Sequence, residues 1–209
     1  MNIEVKNSEK LVDYVESIKI LEKRVEDVFL GKKKELLWIL EHNTTYTAGA
    51  SSTESDVVDK NTKIIKTNRG GKHTVHSPGQ KIVYFVLNLN KRKKDIKLLI
   101  NQIENCIINI LNEYKINSYI DKKNIGIWVD NKNKSKKIAA IGIKVKKWVA
   151  YHGFAINVTN DLSKYEKIIP CGIKDKEVTN LQKLGIKDFT NLKKIITKEF
   201  LNIFLWEIF

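Results

Sequence analysis

The sequence predicts an α+β fold in which a mixed sheet is backed by helices. Residues 82–89 are continuously apolar, which is typical of a strand in the middle of a sheet rather than a half-exposed one. Residues 8–31 and 95–114 instead repeat apolar side chains at helical spacing. Two strand patterns on either side of Lys146-Lys147 predict a hairpin. Strands and helices mixed along the chain in this way predict helices packed on one sheet.

The first third of the chain predicts one helix and two strands around a loop. Ser8 is suited to cap the helix and Gly31 to end it. Residues 35–41 read as a buried strand and residues 63–67 as a short strand that leads directly into a glycine-rich segment. Residues 44–59 between them are small and polar, so we expect a loop there.

The remainder of the chain predicts a second helix, further strands and two closing helices. Asp95 opens the helix, which should reach about Tyr114. The predicted strands cover residues 125–129, 137–145 and 148–158, with a turn at 130–133. Thr179 and Asp188 should each begin a helix, and the last of these should extend through Phe209.

Composition and length define the class of protein. With 209 residues, 42% hydrophobic and 30% charged, the chain can bury a real core, so we expect one domain spanning residues 1–209 and exclude disorder. The two cysteines cannot form a disulfide framework, and no segment resembles a signal peptide or a membrane span. Free thiols fit a reducing compartment, so we expect a cytoplasmic protein.

The formal net charge of +14 is compatible with a nucleic acid, an anionic membrane or an acidic protein as partner. The lysines, however, are spread along the whole chain, and the sequence contains no recognisable nucleic-acid-binding motif. We therefore expect most of this charge to form a solvated surface, with no nucleic-acid or membrane partner.

Three short segments carry candidate chemistry. Residues 69–80 form a glycine-rich loop with His76, residues 137–142 begin a strand with Lys137, and residues 170–173 place Cys171 between a proline and a glycine. A nucleophilic thiol, a group that takes its proton and backbone N–H donors for an oxyanion are the parts of a cysteine acyl-transfer site. The three segments together predict acyl transfer.

These segments, together with the His-Gly-Phe-Ala-Ile-Asn-Val strand at residues 152–158, resemble those of the octanoyltransferase family of lipoate biosynthesis. That family shows an Arg-Gly-Gly-x-x-Thr-aromatic-His-Gly-Pro-Gly-Gln loop, a Lys-Ile-Ala-x-Ile-Gly strand and a Pro-Cys-Gly-Ile segment. The resemblance runs from about Glu41 to Gly172. Three residues depart from the family pattern, which has an aromatic, a glycine and a threonine at these positions: Val75, Ser77 and Ala150.

The resemblance implies a biotin/lipoyl protein ligase-like catalytic domain with lipoyl(octanoyl) transferase activity. An enzyme of this family would move an octanoyl group from octanoyl-acyl carrier protein to a lysine of a lipoyl domain, through a cysteine thioester. The acceptors would be the lipoyl domains of 2-oxoacid dehydrogenase complexes and the glycine cleavage H protein. We expect no cofactor and no metal, because no histidine has a cysteine or carboxylate partner at ligand spacing.

Cys171 is the candidate nucleophile and Lys137 the candidate proton acceptor. A free thiol has a pKa of about 8.5 and needs help to ionise, and a partly desolvated lysine can exchange a proton with it. For Lys137 the simpler interpretation is a solvated member of a charge run, in which Lys136 is its nearest competitor. Cys106, within an apolar helical pattern, should be a core residue.

The resemblance also indicates a substrate-binding set. His76 could bond the acyl carbonyl, orient the incoming lysine or hold the loop, and we favour binding and positioning. We expect His73 at the surface, Gln80 bonded to backbone, and His42 and His152 in structural roles, with His152 tying the hairpin to the loop. The expected substrate-binding residues are Arg69, Gly70, Gly71, Lys72, His73, Thr74, Val75, His76, Ala140, Ile141, Gly142, Gly153, Phe154 and Ala155.

Two other functions remain open from the sequence. An ATP-dependent lipoate or biotin ligase of the same fold would proceed through an acyl-adenylate and would need no thiol, which the Pro-Cys-Gly segment disfavours. A non-enzymatic basic binding domain would show salt-sensitive binding to any duplex.

Overall fold

The computed structural model describes residues 3–131, 134–169 and 177–205, and Cys171 lies outside these ranges. The helices are α1 (Tyr14–Phe29), α2 (Ile96–Asn112) and α3 (Leu192–Phe204). The strands are β1 (Ile3–Asn7), β2 (Glu35–Leu40), β3 (Thr45–Ala48), β4 (Ile64–Lys66), β5 (His73–His76), β6 (Gln80–Asn88), β7 (Tyr119–Asp121), β8 (Asn124–Asn131), β9 (Lys134–Lys146), β10 (Val149–Asn157) and β11 (Glu177–Val178).

In the described part of the chain these strands form a large sheet and a small one. The large sheet has the order β1-β2-β6-β10-β9-β8-β7, with β11 beside β9, and the small sheet has the order β4-β3-β5. The large sheet is mixed, because β1 and β11 pair parallel to their neighbours and the other pairs are antiparallel. The predicted α+β fold with a mixed sheet backed by helices is confirmed.

The large sheet has an apolar core on each face. On β6, Val83 and Phe85 face α2 and α3, whereas Ile82 and Tyr84 face α1. Because successive side chains of a strand point to opposite faces, a strand covered on both sides must be apolar throughout. This explains the continuous apolar run at residues 82–89 and confirms its central place in the sheet. Cys106 lies fully buried in the α2–α3 core, as expected.

The first helix begins later than the sequence pattern predicts. Its N-cap is Asp13, whose carboxylate accepts a 3.0 Å hydrogen bond from the backbone of Glu16. The predicted cap, Ser8, instead accepts a 2.9 Å bond from the indole of Trp38. The residues before Ser8 form β1, which extends the sheet beyond β2, so the predicted helix start at Ser8 was wrong.

The predicted loop over residues 44–59 is also partly wrong. It contains β3, which pairs with β4 on one side and with β5 on the other. Strand β5 lies inside the glycine-rich segment, where no strand was expected. These strands have three or four residues each, too few for a period-2 pattern to stand out.

The end of the chain differs from its prediction in one helix. The helix predicted from Asp95 is confirmed, with Asp95 as its N-cap. At Thr179, however, the chain leaves the short strand β11 and makes only a 3₁₀ turn at Gln182–Leu184. The next helix is α3, and residues 206–209 of its predicted extension lie outside the described ranges.

The connection between β8 and β9 differs from the predicted turn at 130–133. Asp130 and Asn131 still belong to β8 and pair with Ser135 and Lys134 of β9, and residues 132 and 133 are not described. No helix in the described ranges has the length and hydropathy of a membrane-spanning segment.

A buried ion pair joins β2, β6 and the end of α3. The guanidinium of Arg92 donates a 2.7 Å bond to the Glu35 carboxylate and a 3.0 Å bond to the carbonyl of Phe204. The carboxylate also accepts a 2.7 Å bond from the backbone of Asn88. Both charged side chains are almost fully buried.

Because removal of one partner leaves a buried charge unpaired, we expect Arg92→Ala to lower the free energy of unfolding by about 3–5 kcal/mol. Urea denaturation monitored by circular dichroism measures this. The exposed Lys19–Glu16 pair is the control, since solvent screens it and Lys19→Ala should have a much smaller effect. Equal effects of the two substitutions would contradict the assignment.

Candidate active site

A pocket with an empty volume of about 520 Å³ lies on the α1 face of the large sheet. Its floor consists of Ala140 and Gly142 on β9 and of Gly153 and Ala155 on β10. These residues are direct partners in the sheet, Gly142 with Gly153 and Ala140 with Ala155. Cross-strand partners share one face, so this floor carries no side chain larger than a methyl group.

Most of the expected substrate-binding residues surround this pocket. Those that line it are Arg69, Gly71, Lys72, His73, Thr74, His76, Ala140, Ile141, Gly142, Gly153, Phe154 and Ala155. Gly70 lies just outside, with its N–H bonded to the carbonyl of Ile143 at 2.9 Å. Val75 packs with Tyr46, Tyr165 and Ile168 in a separate small core.

Four lining residues were not expected to bind substrate: Tyr14, Ile82, Tyr84 and His152. Tyr14 comes from the first turn of α1, far from the motifs in sequence, and no local signal marks it. The alternation along β6 could have indicated Ile82 and Tyr84, since they share a face.

Arg69 holds the glycine-rich loop against the sheet. Its guanidinium donates to the carbonyl and the hydroxyl of Thr47, at 3.1 and 2.8 Å, and to the carbonyl of Gly70 at 3.0 Å. A Cβ at Gly142 would lie only 3.2 Å from Arg69 Cδ and from the Gly70 carbonyl. The glycine on β9 therefore lets the loop rest directly on the strand.

His152 adopts a backbone conformation that is unusual for a strand. Its φ of 69° is in the left-handed region. Its ring stacks on that of the preceding Tyr151, at 4.6 Å between centroids, so two consecutive side chains occupy one face. The imidazole is bonded to Asn68 Oδ1 at 2.8 Å, which confirms that His152 ties the hairpin to the loop.

A directed hydrogen-bond network fixes the tautomer of His76. Asn157 Nδ2 donates to the carbonyl of Thr179 at 3.0 Å, so Asn157 Oδ1 is an acceptor. Gln80 Nε2 donates to this oxygen at 2.9 Å, which leaves Gln80 Oε1 as an acceptor. His76 Nδ1 lies 2.8 Å from that oxygen and must carry the hydrogen. The proton therefore sits on Nδ1, and Nε2 presents a lone pair.

His76 is also neutral, because burial, followed by the nearby His42, lowers its pKa to about 3. A neutral imidazole with an unprotonated Nε2 can accept a hydrogen bond there and cannot donate one. Bonding an acyl carbonyl through Nε2 would need a donor, so the arrangement favours an N–H or S–H group as the partner.

The other polar residues around the loop are mostly structural. His42 is fully buried, with Nδ1 bonded to the carbonyl of Val12 at 2.7 Å and Nε2 accepting from the hydroxyl of Tyr84 at 2.9 Å. The expected surface position of His73 is wrong: it is 4% exposed, and burial lowers its pKa. The expected backbone role of Gln80 is largely wrong too, since its short bonds go to side chains.

Lys137 is buried on the pocket face of the sheet. It is 6% exposed, its ammonium lies 5.3 Å from the centre of the Trp128 ring, and its side chain passes over Gly126. A Cβ at Gly126 would lie 2.4 Å from Lys137 Cε and 2.6 Å from the backbone oxygen of Ala139, so that position has room only for glycine. The neighbouring Lys136, in contrast, pairs with Glu177.

A β-bulge determines which face Lys137 occupies. Ile127 pairs with Ala139 and Trp128 with Lys137, so Ile138 is an extra residue on β9. Ile138 and Ala139 both belong to the α2–α3 core. In a regular strand, side chains three positions apart point to opposite faces of the sheet. Because of the extra residue, Lys137 and Ala140 lie on the same face.

Cys171 lies outside the described residues, but the chain on both sides of residues 170–176 is described. On one side the N–H of Ile169 bonds the carbonyl of Asp56 at 2.7 Å, and the carboxylate of Asp56 pairs with Lys72 at the pocket. On the other side β11 pairs with β9 at Lys136 and Lys137, and the N–H of Thr179 bonds the carbonyl of Lys137 at 2.9 Å.

The chain and its fold are similar to known proteins. Residues 13–201 match the lipoyl protein ligase A/B catalytic domain. An octanoyltransferase from Wolbachia pipientis subsp. Culex pipiens (strain wPip) is 49% identical over 181 residues, 86% of this chain and 88% of that relative. The bi-partite lipoate protein ligase of Thermoplasma acidophilum has a TM-score of 0.71 at 14% identity, over 97% of this chain and 84% of that one.

A biotin protein ligase from Leishmania major, in complex with biotinyl-5-AMP, has a TM-score of 0.58 at 14% identity, over 97% of this chain and 74% of that one. The fold is thus that of the catalytic domains of lipoate and biotin protein ligases. The chain belongs to the lipoyl protein ligase A/B catalytic domain family and, within it, to the octanoyltransferases, which are acyltransferases.

The buried histidines make stability depend on pH. The pKa values of His76 and His152 are lowered to about 3, mainly by burial, so the unfolded chain takes up protons below about pH 6.5 that the native state excludes. The free energy of unfolding should therefore fall as the pH falls from 6.5 to 5, by about 1.4 kcal/mol per pH unit for each such histidine. Urea titrations across this range measure the slope, which His76→Gln should make shallower; an unchanged slope would refute the assignment.

The tautomers of His76 and His152 should be opposite. Asn68 Nδ2 donates to Glu22 at 2.9 Å, so Asn68 Oδ1 accepts and His152 carries its proton on Nε2, whereas His76 carries it on Nδ1. Nitrogen-15 NMR of histidine-labelled protein should show a pyridine-like Nε2 for His76 and a pyridine-like Nδ1 for His152. The same tautomer at both residues would contradict the network.

Proposed function

We propose that this chain, acting as one catalytic domain over residues 1–209, transfers an octanoyl group from octanoyl-acyl carrier protein to the lysine of a lipoyl domain through a thioester on Cys171. The observation that carries the proposal is the position of Lys137, a buried lysine that the β9 bulge turns to the face of the pocket floor. The names of the relatives support octanoyl transfer, and the Pro-Cys-Gly segment supports the thiol.

In the first step the sulfur of Cys171 attacks the carbonyl carbon of the octanoyl thioester. Lys137, in its unprotonated form, takes the thiol proton. The new carbon–sulfur bond forms, the bond to the carrier thiol breaks, and the proton passes from Lys137 to the departing carrier thiolate. One thioester replaces another, so the step is close to isoenergetic and needs no ATP.

In the second step the amine of the acceptor lysine attacks the same carbon. A carbon–nitrogen bond forms, the bond to Cys171 breaks, and the amine proton passes through Lys137 to the cysteine thiolate. We assign His76 to hold the attacking amine, because its unprotonated Nε2 can accept one of the amine hydrogens. Backbone N–H groups of the loops would stabilise the oxyanion.

The pocket is suited to a short aliphatic chain. The Ala140, Gly142, Gly153 and Ala155 floor is apolar, and Ile82 and Phe154 extend the apolar lining. Burial of an acyl chain there gains about 0.8 kcal/mol for each methylene that leaves water.

The proposed acceptors are the lipoyl domains of 2-oxoacid dehydrogenase complexes and the glycine cleavage H protein. The T. acidophilum ligase was solved as part of a lipoylation system with its E2 lipoyl domain, which supports a lipoyl domain as acceptor for this fold. The proposed donor, an acyl carrier protein, is acidic, and the net charge of +14 would speed its association.

Intact-mass spectrometry after incubation with octanoyl-acyl carrier protein tests the mechanism. We expect an octanoyl adduct that hydroxylamine removes and that Cys171→Ala abolishes. Lys137→Ala should still fold, and it should form the adduct at least about 100-fold more slowly, because general base catalysis contributes at least that factor. Lys136→Ala is the matched control and should acylate at close to the normal rate, since Lys136 pairs with Glu177 instead.

An adduct that persists in Cys171→Ala would defeat the thioester mechanism. Pyrophosphate release in the presence of ATP and free octanoic acid, without any adduct on Cys171, would instead indicate an ATP-dependent ligase of the same fold.

A further inference from the structure

A second depression adjoins the pocket at the edge of β9, and we call it the donor groove. It has an empty volume of about 960 Å³ and shares four residues with the pocket: Gly71, Lys72, Ile141 and Gly142. Its other lining residues are Gly70, Ile100, Lys123, Asn124, Ile125 and Ile143. The two depressions therefore adjoin each other along the glycine-rich loop.

The groove exists because β8 leaves β9 early. The pairing of β8 with β9 runs only from Asn131 to Ile127, so the edge of β9 beyond Ala139 has no β8 neighbour. Part of this edge is covered by the glycine-rich loop, through the bond from Gly70 to Ile143. Between that loop and the turn before β8, the edge of the sheet is left open as a groove.

The groove combines an apolar floor with a positive rim. Ile125 is 56% exposed, and Ile100, Ile141 and Ile143 are half-buried beside it. The rim carries Lys72 and Lys123, and none of the lining residues is acidic. Within the described ranges no carboxylate forms an ion pair with Lys123, whereas Lys72 lies 3.4 Å from Asp56.

We propose that the donor groove binds the phosphopantetheine arm of the acyl donor, with Lys123 and Lys72 contacting its phosphate. This inference rests on the proposed function. The arm is an uncharged chain of amides and methylenes between a thiol and a phosphodiester, so an apolar trough with a cationic rim complements it along its length. An arm that lies in the groove leads its thioester into the adjoining pocket.

Three octanoyl donors distinguish contacts with the pantetheine chain, with the phosphate and with the carrier protein. They are octanoyl-pantetheine, which has no phosphate, octanoyl-4′-phosphopantetheine, and octanoyl-acyl carrier protein. We expect Lys123→Ala to raise KM about five- to tenfold for the two donors with a phosphate and to leave KM for octanoyl-pantetheine unchanged, because a charge-assisted bond is lost only with the former. The kcat should be unaffected.

Lys32→Ala is the matched control, because Lys32 is an exposed lysine in a separate surface pocket beside Glu35. It should leave all three KM values unchanged. Ile125→Asp, which places a negative charge in the trough, should raise KM for all three donors, and most for the two with a phosphate.

Equal KM changes with and without the phosphate in Lys123→Ala, or no change at all, would overturn the proposal. A change with the carrier protein alone would also overturn it, since Lys123 would then contact the protein and not the arm. If the wild type transferred octanoyl from none of the three donors, the proposed function would fail. Binding to the groove would still be tested by calorimetry. Free 4′-phosphopantetheine should bind the wild type more tightly than pantetheine does, and Lys123→Ala should remove the difference.

Discussion

The single extra residue in β9 is the constraint on which the site depends. With regular pairing to β8, Lys137 would lie on the face that packs against α2 and α3, where burial of an ammonium group in a largely apolar core is costly. The bulge at Ile138 places two consecutive residues in that core and moves Lys137 to the other face. There the Trp128 ring and the bare backbone of Gly126 accommodate the lysine side chain. The pocket floor and the lysine thus share one strand and one face.

The pocket floor lies over paired positions of β9 and β10 that carry at most a methyl group. A hollow in a protein core normally costs stability, because the atoms that line it lose packing partners. Here the hollow forms over β9 and β10, whose backbones are hydrogen-bonded to neighbouring strands regardless of the side chains they carry. At Gly153 a Cβ would lie 1.9 Å from the carbonyl of Val83, so a larger side chain is excluded there by the sheet itself. At this position the floor of the cavity is therefore fixed by the backbone of the sheet.

The sequence predicted those parts of the molecule that local patterns determine. The central strand β6 and the helix α2 follow from apolar periodicity and from the cap at Asp95, and the hairpin of β9 and β10 follows from two strand patterns with a short turn. Strands β3 and β5 could not be predicted, because their pairing depends on contacts with each other and not on the four residues of either strand. The same holds for Tyr14, which reaches the pocket only through the packing of α1 on the sheet. The sequence motifs predicted most of the residues that line the pocket. The bulge and the tautomer of His76 depend on contacts between separate segments, so no local sequence pattern predicts them.

The hydrogen-bond network around β11 links two residues with nitrogen-bearing side chains, His76 and Lys137, to which different roles are assigned. His76 is kept neutral by burial, and its lone pair is directed by a network that ends at Thr179, whose own N–H bonds the carbonyl of Lys137. The residue that would hold an incoming amine and the lysine that would take its proton are thus connected through Thr179, the residue directly after β11. Any displacement of β11 would disturb the hydrogen bonds of both groups together. Burial that keeps His76 an acceptor at neutral pH also makes the fold sensitive to acid, so the property that suits this site to amines limits the pH range in which the protein is stable.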